Sequence, residues 1–459
     1  MEFVKLTEKE FKSFAYNHEQ ASFYQTINWG KLKENNGWKM HLVGVKIKKK
    51  VVAATLLLSK LTPIKKSMFY APRGFLIDYD NYELLEFFTN EIKKFAKEND
   101  AIFIKIDPYL SYQERDLDGN IVENGENNKQ AFDNLIKLGY KHFGFNLMQE
   151  ALQPRWIFVT PTKDTTVDEV MKKMDSKTRQ ILRKNERNKI KVREIDYDEI
   201  DKFKDIMQHT GDRRDFIDRP LSYYQNMYKY LHDDGILKIM IAELDTEELI
   251  DEYTSEIKRI EKDKEQREKL YKKDPSKMNE KKYLQKQNEC DKDIKRIEKN
   301  RNHIQELQDK HGKVLTLGGI LFLIHSGEVL SLVGGSYKEF MEFQSAYTVH
   351  FAGLKYAIEN NYDRYNFYGI TGIFDSNNPL FGLYLFKRDF GGKVVEFVGE
   401  FDLIVNKPYF ILYKVAFKSY KVLKGIINKI RKRWKTACYR PFFEVNLLKM
   451  VDNLYFFKK

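Results

Sequence analysis

Lys94-Phe-Ala-Lys-Glu-Asn-Asp100 runs into Ala101-Ile-Phe-Ile-Lys-Ile106, and Lys355-Tyr-Ala-Ile-Glu-Asn-Asn361 runs into Tyr362-Asp-Arg-Tyr-Asn-Phe367. Each is a helix end, a turn-forming Asn and a strand, at the same spacing. The elements upstream repeat as well. Before the first junction, His41–Ser59 reads as a strand, a lysine-rich turn and a strand. Met68-Phe-Tyr-Ala-Pro-Arg-Gly74 and an amphipathic helix near Asn81–Asn99 follow, and the strand is expected over Ala101–Asp107. Before the second, strands at Ile236–Glu243, Val314–Ile324 and Val329–Val333 lead to Gly334-Gly335-Ser336. A helix near Ser345–Asn360 and a strand at Arg364–Tyr368 follow. The repeated order predicts two α/β halves, and 459 residues are enough for two or three cores.

Inside the second half the pattern changes. From Thr246 to His311 glycine is absent, charges of both signs are dense, and apolar residues recur in threes and fours. The outward seam is Ile250, Tyr253, Ile257 and Ile260; the return seam is Tyr283, Gln287, Cys290, Ile294, Ile297, Arg301 and Ile304. Lys273-Asp-Pro-Ser276 supplies a turn, with Pro275 suited to the first position of the return helix. The reading is an antiparallel coiled-coil helical hairpin, ~45 Å long at the α-helical rise. Lys264, Arg267 and Gln287 interrupt the seam and predict moderate stability and mobility relative to the body. The basic residues of the arm either form a solvated face or contact phosphates.

The 80 Lys and Arg against 67 Asp and Glu give a net charge of +13, which favours nucleic acid or an anionic membrane surface as partner. Two segments carry the excess in patterned form. Lys172–Arg187 sets Lys177, Arg179, Arg183, Lys184 and Arg187 on helical spacings. Tyr409–Trp434 interleaves aromatic and aliphatic residues with Lys414, Lys421, Lys429 and Arg433, as a basic amphipathic helix would. The alternative, an apolar face docked on the first half, is compatible with it. Cys290 and Cys438 form neither a disulfide framework nor a thiolate metal site. The N-terminus has no signal-like apolar core, and Val51–Leu58 is far too short for a membrane span, so a cytoplasmic location is expected. No metal-ligand spacing, Walker loop, dinucleotide fingerprint or Gly-x-Ser-x-Gly elbow occurs. Neither half has a glycine-rich pyrophosphate loop opening a helix, which argues against coenzyme A as acyl donor.

Six motifs in order carry a resemblance: Gln25-Thr-Ile-Asn-Trp29-Gly-Lys31-Leu-Lys33 with Trp38, Gln153-Pro-Arg-Trp156, Ser176-Lys-Thr-Arg179, Arg219-Pro220 with Tyr223, Gly334-Gly-Ser336, and Leu383-Tyr-Leu-Phe-Lys387. Over nearly its whole length the chain resembles the FemABX family, whose members transfer amino acids from aminoacyl-tRNA onto the stem peptide of the peptidoglycan precursor to build interpeptide bridges. The resemblance implies an α/β fold of two GNAT-like acyltransferase domains. The first is 1–152, completed by 396–435; the second is 153–245 with 312–395; the helical arm is 246–311, and 436–459 is an extension without an assigned role. It implies no cofactor, with aminoacyl-tRNA as co-substrate. The acceptor is lipid II or a UDP-linked muropeptide. The enzyme would lie at the inner face of the membrane through the basic C-terminal helix, with homologous transferases among its partners.

By matched position, Lys33 and Arg219 would hold the acceptor's phosphates, one as a point charge and the other as a bidentate fork. Lys31 and Trp38 accompany Lys33, and Tyr223 lies one helical turn beyond Arg219 on the same face. Lys387 would stand by the transferring acyl group and stabilise the developing oxyanion. Asp107 matches an aspartate considered as a base. Lys177, Arg179, Arg183, Lys184, Arg187 and the arm would contact tRNA. Each has a plainer reading: Lys33 as a solvated helix lysine, Arg219 paired with Asp215 or Asp218, Trp29 and Trp38 as core, and Asp107 as a strand-end residue capping the next turn. Val333 departs from the family, which often has an acceptor-contacting tyrosine there. The expected reaction is aminolysis of an aminoacyl ester, where positioning and oxyanion stabilisation suffice without a dedicated base. Two other classes remain open on sequence: a non-catalytic membrane-peripheral or RNA-binding protein, and a coenzyme-A-dependent N-acyltransferase.

Overall fold

The computed structural model describes residues 1–419 except 63, 149–150, 276–278 and 418. Its strands form two mixed sheets. The first runs, edge to edge, Glu2–Lys5, Lys39–Ile47, Lys50–Leu61, Ser67–Ala71, Ala101–Ile106, Phe401–Ile404 and Tyr140–His142. The second runs Ser111–Glu114, Lys393–Phe397, Trp156–Pro161, Arg364–Gly369, Glu328–Ser336, Val314–His325, Leu237–Asp245 and Lys191–Glu194.

The duplicated junctions occupy equivalent places. Helix Tyr82–Glu98 crosses from Ser67–Ala71 to its parallel neighbour Ala101–Ile106, and helix Ser345–Glu359 crosses from Glu328–Ser336 to its parallel neighbour Arg364–Gly369. Asn99 and Asn360 end the helices, and Asp100 and Asn361 turn left-handed at φ 58° and 54°. Short polar side chains tolerate that conformation best after glycine, which is why the junctions read alike. The first helix buries Leu84, Leu85, Phe88, Ile92 and Phe95 against its sheet, at spacings of three and four around Leu85.

The chain passes between the sheets four times. Phe401–Ile404 returns to fill the gap between Ala101–Ile106 and Tyr140–His142. Conversely, Ser111–Glu114 edges the second sheet against Lys393–Phe397. A helix over 407–417 then sets Phe410 against Phe103, ring centroids 5.5 Å apart. The rest of the basic stretch expected to Trp434, and the extension 436–459, lie outside the described residues.

The hairpin is helix Thr246–Lys273 packed on helix Glu280–His311. Ile257, Ile297 and Ile304 are buried in its seam. Mid-seam, Gln287 donates to the Lys264 carbonyl (3.4 Å) and the Tyr283 hydroxyl (3.1 Å), Lys264 pairs with Asp291, and Tyr271 stacks on Tyr283 at 4.1 Å. Pro275 does not open the return helix: Asn279 caps it, accepting from Lys282 N–H at 3.1 Å. An Asn side chain satisfies an orphan amide that proline merely lacks, so the cap prevails. At its root the arm joins the main core through Leu249 and Ile304, while His303 to Glu342 (2.8 Å) and Lys191 to Glu248 (2.6 Å) tie down its flanks.

A buried ion cluster fastens the edge of the second sheet. Glu396 accepts from Arg155 and, at 2.6 Å, from Arg115, with the Arg155 and Glu396 side chains 2% and 3% exposed. Glu396→Ala would leave Arg155 buried without its counter-charge. It is expected to destabilise the protein by about 3–5 kcal/mol, seen as a lower denaturant midpoint.

Candidate active site

Helix Ile27–Glu34, from the first half, packs on helix Leu221–Leu231 of the second. Thr26 caps the former by accepting from Trp29 N–H at 3.2 Å. Trp29 is buried in one cluster with Phe23, Tyr24, Tyr224, Met227 and Tyr228, and Tyr223 and Val333 lie at its margin. Lys33 rests on the Trp29 ring, its Nζ 4.2 Å from the centroid. Arg219, just before the second helix, rests on Tyr223 at 5.3 Å. Lys33, Arg219 and Tyr223 are thus gathered around a single apolar cluster where the halves meet. Asp218 does not serve Arg219; it accepts from Lys204 and from Tyr224 hydroxyl, both at 2.6 Å. Burial pushes the Tyr223 hydroxyl up, and Arg219 pulls it back.

Lys31 and Trp38 are not brought to this group. Lys31 pairs with Glu8 at 3.1 Å on the surface, and Trp38 joins a separate apolar cluster with Met40 and Leu42 under Lys60. The Gly334-Gly335 pair has a packing role instead. A Cβ on Gly335 would lie 2.1 Å from Thr210 Oγ1, so the glycine lets helix Ile200–Arg214, which leads into the Arg219 loop, lie on the sheet.

Deeper in the seam, polar residues of both halves meet. Asp107, at the end of Ala101–Ile106, accepts from Arg73 N–H at 2.6 Å and from Tyr70 hydroxyl at 2.8 Å, so both its oxygens are engaged. Burial pushes its carboxyl up to about 7 against the pull of Arg73. The geometry is that of a strand-end residue holding the next turn: it fixes Arg73, whose φ is 53°. The Arg73 guanidinium donates to the Pro154 carbonyl at 2.8 Å and lies over Phe397 at 4.5 Å. Opposite, strand Arg364–Gly369 bulges at Tyr368 (φ 64°), whose N–H is taken by the Asn366 side chain at 2.7 Å. The bulge aims Tyr368 hydroxyl at Gln153 (2.6 Å) and Tyr24 hydroxyl (3.1 Å).

Lys387 sits just past that bulge. Its Nζ donates to the Gly369 carbonyl at 2.7 Å, and it is 6% exposed. Burial alone lowers the ammonium to about 7, with no carboxylate to hold it up. His350, half-buried near it and bonded to Tyr365 hydroxyl at 2.7 Å, is held neutral by desolvation and then by Lys387. Tyr368 and Gly369 therefore link the Asp107–Arg73 cluster on one side to Lys387 on the other.

The basic helix Ser176–Arg187 exposes Lys177, Arg183, Lys184 and Arg187. Arg179 is turned inward: its Nη1 donates to the carbonyl of Met174 at 2.6 Å and more distantly to those of Met171 and Lys172, closing the preceding helix. The helix begins beside the end of helix Phe381–Arg388, which carries Lys387, where Asp175 N–H meets the Asp389 carbonyl at 2.8 Å. Sequence reasoning missed Arg73, Tyr24 and Tyr368 as site residues. Arg73 stood in a quoted segment, but only the fold shows it buried between the halves.

Two mixed sheets thus meet at a polar seam, with Lys387 of helix Phe381–Arg388 buried against the end of a central strand. A model described as the FemAB family matches residues 6–418. Aminoacyltransferase FemA of Staphylococcus aureus (strain bovine RF122 / ET3-1) is 34% identical over 426 residues, covering 92% of this chain and 99% of that protein. FemA of strain N315 matches to the same extent. The crystal structure of FemX aligns with a TM-score of 0.75 at 28% identity, over 90% of this chain and 99% of that one. The chain belongs to the FemAB family, and it is an aminoacyltransferase of the kind that builds peptidoglycan bridges.

Proposed function

We propose that the enzyme transfers an aminoacyl group from aminoacyl-tRNA to the stem-peptide amine of lipid II, without a cofactor. The observation that carries this reading is the convergence of Lys33 and Arg219, from opposite halves, around the Trp29 and Tyr223 rings. Two cations of different shape, brought to one apolar cluster where the halves meet, suit a diphosphate.

In the reaction, the acceptor nitrogen attacks the ester carbonyl and the new C–N bond forms. The C–O bond to the tRNA ribose breaks, and the proton lost by nitrogen leaves with the ribose hydroxyl. The Lys387 ammonium, which uses one N–H on Gly369, offers another to the developing oxyanion. Asp107 acts through Arg73 and Tyr70 by fixing the seam, as a positioning residue. Lys177, Arg183, Lys184 and Arg187 supply exposed cations for tRNA phosphates at the mouth of the Lys387 site.

No helix among the described residues is long and apolar enough to cross a membrane. Contact with the inner membrane face is supported instead by the helix over 407–417, where Ile411, Leu412 and Val415 are exposed beside Lys414. The test is to incubate the purified enzyme with a mixed aminoacyl-tRNA pool and lipid II, then weigh the product. A mass gain of one amino-acid residue is expected; unchanged lipid II overturns the reading.

A further inference from the structure

Strand Arg364–Gly369 leaves its regular pairing just before Gly369. Against Trp156–Pro161 the register runs evenly from Arg364 to Asn366 and then slips, so that Gly369 faces Ile157 with one residue too many between. On the other side, the ladder with Glu328–Ser336 stops at Leu330 and Asn366. The Gly369 carbonyl is therefore not spent on that neighbour, and Lys387 Nζ takes it at 2.7 Å.

The bulge turns at Tyr368, whose φ is 64°. A bulky aromatic residue seldom adopts that backbone, and keeps it only where its surroundings over-determine it. Here they do. Tyr368 N–H is taken by Asn366 Oδ1 at 2.7 Å, and the Asn366 side chain is anchored in turn on Glu328 at 3.1 Å. The Tyr368 hydroxyl donates to Gln153 Oε1 at 2.6 Å and meets Tyr24 hydroxyl at 3.1 Å. Tyr24 comes from the first half and stands nearly perpendicular to Trp29, ring centroids 5.1 Å apart, in the cluster on which Lys33 rests. Tyr368 packs on that same cluster. One residue thus has its ring on the group that gathers Lys33 and Arg219, while the carbonyl that follows it holds Lys387.

We propose that Tyr368 is a positioning residue for the transfer step: its hydroxyl, clasped by Gln153 and Tyr24, locks the bulge that presents the Gly369 carbonyl to the Lys387 ammonium. The inference rests on the reading of Lys387 as the oxyanion donor. An ammonium carries its N–H groups on a flexible four-carbon stem, and their directions are fixed only when one of them is tied down. The Gly369 carbonyl is that tie, and it aims the others. Because the clasp draws on Tyr24, the aim of Lys387 depends on the first half being seated against the second.

The test is Tyr368→Phe in the full-length chain, which removes the hydroxyl and keeps the ring. Tyr24 hydroxyl still donates to Gln153 Oε1 at 2.8 Å, so no buried acceptor is orphaned and the variant should fold. The kcat for transfer to lipid II is expected to fall about 10-fold with KM for the acceptor unchanged, since the aim of an oxyanion donor acts in the transition state. In a Lys387→Met background the same substitution should cost nothing further. A second readout needs no turnover. With lysine isotopically labelled at Cε, the NMR titration of Lys387 is assigned by its loss in Lys387→Met. Its midpoint should fall by about one pH unit in Tyr368→Phe, because losing the carbonyl disfavours the charged form. His350, the titratable side chain near it, is held neutral over that range. An equal loss of kcat in the Lys387→Met background overturns the proposal, as does an unchanged kcat or an unmoved midpoint. If the wild-type enzyme aminoacylates no acceptor, the functional reading fails while Tyr368 still stands or falls on the midpoint.

Discussion

Replacing Lys387 by methionine is expected to lower the transfer rate by about 10²–10³-fold while making the protein more stable at pH 6. The two effects share one cause. Lys387, on helix Phe381–Arg388, is buried against the end of strand Arg364–Gly369, and burial lowers its ammonium to about 7. Unfolded, the same group holds its proton to about pH 10.4. Below pH 7 the folded protein bears the full cost of a buried charge, on the order of 2–4 kcal/mol. Between pH 7 and 10 the folded form has released the proton while the unfolded form keeps it, so wild-type stability rises with pH. The gain from methionine should thus be largest at pH 6 and shrink steadily toward pH 10 in thermal unfolding. Full activity in the variant, or a stability difference that ignores pH, would remove Lys387 from the proposed role.

Arg219→Ala is expected to raise KM for lipid II by about 10- to 100-fold with little change in kcat, since a charge-assisted contact to phosphate acts on binding in ground and transition states alike. Arg219 is only half-buried, so unfolding should move little. Lys33→Ala should act in the same direction. The double variant should lose less than the sum, because both side chains are assigned to one diphosphate. A muropeptide acceptor without the diphosphate provides the control: Arg219→Ala should leave its weaker transfer unaffected. Equal losses on both acceptors would mean that Arg219 shapes the Tyr223 face rather than holding phosphate.

The fold was legible where local chemistry dictated it. Asn-Asp at 99–100 and Asn-Asn at 360–361 had to turn, and the structure puts Asp100 and Asn361 in the left-handed region at both junctions. The hairpin followed from an apolar period that no globular helix of that charge would keep. The turn of the arm was misjudged at Pro275 because a competing cap, Asn279, sat four residues on. Lys33, Arg219 and Tyr223 were reachable through an ordered set of motifs, but their shared cluster depends on two helices nearly two hundred residues apart in sequence. Tyr368 was out of reach altogether: a bulge is set by pairing register against Trp156–Pro161, and no single-strand pattern announces it. Arg179 looked like its exposed neighbours on the same helix, and only the position of the preceding helix end turns it inward.

Strand Phe401–Ile404 has a consequence for how the protein is made. It lies one strand in from the edge of a sheet whose other members are all synthesised by residue 142. On the ribosome, Ala101–Ile106 and Tyr140–His142 must wait for a partner that emerges some 260 residues later, roughly 10–60 s at ordinary translation rates. The first half thus cannot mature before the second, and it leaves the ribosome with two unpaired strand edges facing one another. Nascent chains stalled within the arm would carry that gap open, which makes this region the natural client surface for a chaperone during synthesis.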